Sequence, residues 1–156
     1  GLTLVEACEA NGYERVALNS VYFWPDWRDG VVRFLRSADI DVVWYGNFID
    51  QGWYQTQQEV NDHTWIFPGE LARDSMKYAS EQAPDVDAIL VNGMSNYRDA
   101  TGLPQRLVSL AADIEADIGT PVLAADITLY WQIFRTLGVA PLGRHGSLLS
   151  SLQGPQ

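Results

Sequence analysis

The sequence predicts an α/β protein built on a parallel four-stranded sheet with helices on both faces. Three observations carry that expectation. The runs "RVALNS", "DVVWYG", "DAILV" and "PVLA" are short and nearly continuous in apolar residues, as strands buried on both faces are. Segments with apolar residues at helical spacing stand between them. The order helix, strand, helix, strand recurs four times, and crossover helices are what parallel strands require.

The elements follow in order. Thr3 with Glu6 makes a capping box, and Gly12 a stop, for a first helix. After the strand at 15–20, Pro25 opens a helix with Trp27, Val31, Phe34 and Leu35 on one face. The strand at 41–46 runs into an aromatic and amide-rich stretch from Asn47 to Phe67. That stretch is too long for an ordinary connection, so part of it is expected to cover a ligand or a partner. The helix after Pro68 carries Leu71, Ser75, Tyr78 and Ala79, and a third strand follows at 87–91. A helix after Pro104 shows Leu107, Leu110, Ala111, Ile114 and Ile118 and ends at Gly119. The last strand, 121–124, leads to a helix that Asp126 can cap, bearing Tyr130, Ile133, Phe134 and Leu137 before Gly138. Residues 1–140 read as one α/β domain, and 141–156 as a tail rich in Gly, Ser and Leu that wraps a surface.

Composition narrows the function. A chain of 156 residues with 47% apolar content and six Trp can bury a real core. A net charge of −10 disfavours nonspecific binding to nucleic acid or to an anionic membrane, although a local basic pocket can still hold an anion. No run reaches the roughly 18–20 apolar residues of a membrane span. The single Cys8 excludes an internal disulfide framework, sits on the apolar side of the first helix as a buried thiol, and suits a cytoplasmic protein. The opening "GLTLVEACEANG" lacks the basic start of a signal peptide.

In such a fold ligands are held at the strand C-terminal ends, here 19–22, 46–48, 92–96 and 124–126. Tyr22 can offer its hydroxyl to a carboxylate, or stand as a half-buried ring on the sheet rim. Asn19 and Ser20 read first as turn residues. Arg98 and Asp99 read as solvated charges. His63 and His145 have no carboxylate or Cys at ligand spacing, so no metal site is expected. Trp44, Trp53, Tyr54, Trp65 and Phe67 can line an aromatic pocket or, as preferred, an interface.

The order of motifs resembles the aspartate/glutamate racemase superfamily, in its arylmalonate decarboxylase and maleate isomerase branch. "YERVALNSVY" resembles the family's first-strand segment, which ends in a substrate-contacting Tyr. "PDVDAILVNGMSNYRDA" resembles the segment that delivers the second catalytic Cys, and "ADIGTPVLAADITLYWQIFRTLGV" the segment after it. "GRHGSLL" is similar to the way that branch ends.

The resemblance implies two similar α/β halves with the site between them, of which this chain holds only the later one. It also places Gly93 where the family has its second Cys. Two-thiol racemisation is then disfavoured. What is expected instead is part of a cofactor-independent isomerase, lyase or decarboxylase acting on a small carboxylic acid. Tyr22 and the backbone of Asn92, Gly93, Met94 and Ser95 would bind the substrate. The reactive residue, not identifiable in this chain, would come from a second polypeptide carrying the N-terminal half. The competing expectation is a non-catalytic binding or assembly subunit that kept the scaffold after losing the Cys.

Overall fold

The structure, a computed structural model, describes residues 1–63 and 66–153. Trp65 therefore lies outside the described residues. Helix α1 spans Leu2–Asn11, strand β1 Arg15–Ser20, α2 Pro25–Arg36 and β2 Asp41–Asn47. A short helix α3 (Gln57–Asp62) precedes β3 (Phe67–Pro68) and α4 (Gly69–Gln82). Then come β4 (Ala88–Asn92), β5 (Asn96–Arg98), β6 (Pro104–Arg106), α5 (Val108–Ile118), β7 (Val122–Ala124), α6 (Ala125–Leu137) and α7 (Ser147–Ser150).

The main sheet is four-stranded and parallel, in the order β2-β1-β4-β7. Strands β1 and β4 lie at its centre, and their residues Val16 to Leu18 and Ala88 to Val91 are buried. Helix α1 packs on α6, and α4 packs on α5. The two pairs cover opposite faces, as right-handed crossovers demand. From β1 the chain steps outward one way to β2, then returns past β1 to β4 on its other side. The strand order therefore reverses between β1 and β4, the point at which open α/β sheets bind ligands.

Several local expectations are corrected. The α1 N-cap is Gly1, with no side-chain cap. Thr3 is used elsewhere: its hydroxyl meets that of Thr128 at 3.2 Å, tying α1 to α6. The 47–67 stretch contains α3, opened by a capping box in which Thr56 accepts from the Glu59 amide and Glu59 reaches back. Pro104 opens a strand rather than a helix. β6 pairs antiparallel with β5 around a turn whose donors Thr101, Leu103 and Gln105 all converge on Asp99, and α5 begins only at Val108. With β3 these strands form a second, three-stranded sheet that has no periodic signal in the sequence.

Helix α6 buries Ile127, Thr128 and Trp131, and leaves Tyr130, Ile133 and Leu137 exposed. The tail is anchored by Leu148 and Leu149, both in the core. Glu115 ties it down: Oε1 accepts from the Val122 amide, and Oε2 accepts from the Ser147 amide and hydroxyl.

Asn19 is a strand residue, wholly buried, and not part of a turn. Its amide nitrogen donates to Ser75 Oγ at 2.8 Å, and its oxygen accepts from Gln51 Nε2 at 2.8 Å. It thereby joins β1 to α4 and to the loop after β2. Asn19→Ala strands both partners, so it should lower stability by about 1–3 kcal/mol in urea denaturation.

Candidate functional site

At the β1/β4 reversal the ladder ends with Ser20 opposite Asn92 and with the Val21 amide donating to the Asn92 carbonyl at 3.1 Å. Beyond that bond the two strands part. On the β1 side, Ser20 Oγ accepts from the Tyr22 amide at 3.0 Å and turns the chain outward. The Tyr22 ring stacks on Trp24 (centroids 5.0 Å apart) and meets Trp27 edge-on at 4.7 Å. Burial pushes the Tyr22 phenol above its ordinary pKa, so at neutral pH it is a hydroxyl able to donate.

On the β4 side the chain turns at Gly93, whose φ of 89° favours glycine. The position is also crowded. A Cβ there would lie 2.5 Å from Val21 Cγ2 and 2.6 Å from Tyr22 Cε2. The place where the resemblance puts a thiol is thus taken by Val21 and the tyrosine ring together. Met94 then plugs into the core, and the Ser95 carbonyl accepts from the Leu107 amide at 2.9 Å, which fixes both ends of the turn. Among the described residues, nothing accepts from the amides of Gly93, Met94 or Ser95. A cavity of about 290 Å³ reaches Asn92 from the side of α1, α2 and α6.

The remaining candidates sort by their contacts. Asn19 and Ser20 act within the scaffold, as described. Asn47, at the end of β2, accepts from the Ile49 and Asp50 amides and shapes its own turn. Asp126 is not the α6 cap, a position held by Ala124; it lies in the first turn, and its Oδ2 accepts from the Val108 amide at 3.3 Å. Cys8 is buried on α1, its thiol pushed up to about 12 by burial and then by Glu9 and Asp87. Among the described residues no group of His, Cys, Asp and Glu could hold a metal. No helix there is long and apolar enough to cross a membrane.

The aromatic set divides. Phe67 is buried edge-on against Phe48, Tyr54 packs on Phe48 and bonds His63 Nε2 at 3.0 Å, and Trp44 lies against Tyr78. Only Trp53 of the described members stays largely exposed. The exposed aromatics that gather near Tyr22 are instead Phe23, Trp24 and Trp27. The run "VYFWPDW" was their signal, but its Trp27 read as part of a helix face.

No family model matches the sequence, and no curated protein matches it. Solved structures do. Arylmalonate decarboxylase aligns with a TM-score of 0.71 at 22% identity, over 96% of this chain and 58% of that one. The maleate isomerase Iso from Pseudomonas putida S16 aligns at 0.70 and 21%, over 96% and 53%. This chain has the fold of about half of arylmalonate decarboxylase. A Nocardia farcinica maleate cis-trans isomerase bearing a covalently bound succinylcysteine intermediate is similar too, at 0.65 and 22%, over 96% and 54%. These are proteins of the aspartate/glutamate racemase superfamily, the one the sequence resembles. The chain spans little more than half the length of each.

Two expectations follow. Gly93→Ala combines a left-handed backbone with overpacking and should cost about 2–5 kcal/mol in chemical denaturation. In a Tyr22→Ala background the same change should cost less yet still destabilise, because the ring contact is gone while Val21 Cγ2, 2.5 Å from the Cβ, still blocks it.

Burial pushes the Asp126 carboxyl above the usual carboxylate range, against smaller opposing effects of the Val108, Ile127 and Asp126 amides and of Arg106. A raised folded pKa means that the stability linked to this group is present below the unfolded value of about 3.9 and is lost as pH rises through the folded one. Asp126→Asn should therefore gain on the wild type between about pH 4 and 7, read as the difference in urea midpoints. A midpoint difference that does not move in favour of Asp126→Asn as the pH rises over that range contradicts this.

Proposed function

We propose that this chain is one half of a cofactor-independent enzyme that acts on a small carboxylic acid of the substituted-malonate or maleate kind. The observation that carries the reading is the fold match. Nearly all of this chain aligns with little more than half of a decarboxylase and of an isomerase. Tyr22 and the amides of Gly93, Met94 and Ser95 hold the carboxylate or the enolate that forms from it. A fixed donor aimed at developing negative charge is worth about 3–4 kcal/mol in the transition state, so a turn without reactive side chains can still contribute much of the rate. The proton donor or nucleophile comes from a second polypeptide carrying the other half, which docks over the exposed aromatics beside Tyr22.

A second reading rests on Gly93. With Tyr22 packed where a thiol would sit, the chain also suits a non-catalytic binding or assembly subunit. Native mass and sizing of the protein as it is made in the cell separate the two. A complementary polypeptide with a reactive group, and turnover only when both are present, supports the enzyme. A folded chain that is alone and monomeric overturns it. Within the complex, Tyr22→Phe should weaken substrate binding about tenfold or more, the loss of one hydrogen bond to a charged group. Unchanged affinity removes Tyr22 from the site.

A further inference from the structure

A second concave site lies away from the Tyr22–Gly93 turn, between the small sheet, the start of α5, the outer face of α6 and the tail. Its volume is about 540 Å³, within the range of ordinary small-molecule sites. One wall is cationic and polar. Asn96 and Arg106 are directly opposed across the β5–β6 ladder, so both side chains emerge on one face and both line the cavity. The Arg106 guanidinium has no ion pair among the described residues, unlike Arg28, Arg73 and Arg144.

The opposite wall is aromatic. Tyr130 and Phe134 are one helical turn apart on α6 and both face the cavity, with the buried Leu149 beside them. Helix α6 turns Ile127 and Trp131 fully inward, leaving Phe134 half-buried and Tyr130 exposed on this side. His145 adds a further polar edge. Its Nε2 donates to the Leu142 carbonyl at 2.7 Å, which fixes the ring at the cavity edge. Val108 and Ser109 bring the first turn of α5 to the rim, where the helix dipole favours negative charge.

We propose that this cavity binds a small aromatic carboxylate, its ring between Tyr130 and Phe134 and its carboxylate on Arg106 and Asn96. A guanidinium with a flanking amide is suited to a planar carboxylate, and ring faces suit an aromatic body. In a chain of net charge −10, a cation held beside an apolar wall is a local exception to the surrounding field. The site uses residues of this chain alone and does not depend on a second half.

Benzoate is the probe, and its neutral isostere benzamide the control. Titrated into the full chain, benzoate should saturate with a Kd below about 10 mM and shift the aromatic proton resonances of Tyr130, Phe134 and His145. Benzamide should bind at least tenfold more weakly. Arg106→Gln, an exposed change expected to leave the melting temperature alone, should cost at least tenfold, and Tyr130→Ala should also weaken binding. Tyr22→Phe should leave benzoate affinity unchanged, which separates this site from the turn at Gly93. Equal binding of benzamide, no saturation, or loss of binding in Tyr22→Phe but not in Arg106→Gln overturns the proposal. The last of these results would leave the proposed function standing.

Discussion

The hydrogen bond from the Val21 amide to the Asn92 carbonyl is the last step the two central strands take together. Up to that point β1 and β4 are paired from Val16 with Ala88 to Ser20 with Asn92, and the side chains from Val16 to Ser20 and from Ala88 to Val91 are buried. One residue further on, the strands feed helices on opposite faces of the sheet, α2 from β1 and α5 by way of the small sheet from β4. Divergence leaves a turn whose amides cannot be shared between neighbours. A buried polar turn is costly unless its ends are held. Here Ser20 holds one end and the Ser95–Leu107 bond the other, so the open amides between them are fixed in direction before any ligand arrives.

The surroundings of that turn lower the local dielectric without supplying charge. Tyr22 is wrapped by Trp24 and Trp27, Met94 is buried beneath, and the titratable neighbour Asp126 is engaged with the Val108 amide. Dipoles in such a setting interact more strongly with an anion than they would in water. What the site lacks is an acid or base of its own.

The four main strands and their order along the chain could be read from apolar runs and breaker residues. So could the break in the chain after the strand that ends at Asn92. Other features could not. The second sheet is made of strands of two and three residues, too short for alternation to register, and Pro104 looks the same at the start of a strand as at the start of a helix. The orientation of α6 was not legible because Tyr130, Ile133, Phe134 and Leu137 form as good a stripe as Ile127 and Trp131 do. The helix is apolar on more than one side, and only packing against α1 decides which side turns in. Asn19 looked like a turn residue because its two partners, Ser75 and Gln51, are far away in sequence.

The contact between Gly93 and the Tyr22 ring also bears on the history of the chain. A protein changes one residue at a time, and each intermediate must still fold. A side chain cannot be placed at position 93 in a single step: Val21 and the Tyr22 ring would both have to yield, and with the ring the aromatic stack on Trp24 and Trp27. The packing works as a ratchet. Once glycine and tyrosine had settled together, selection acting on stability alone would keep the turn free of any reactive group, whatever the chain was used for afterwards.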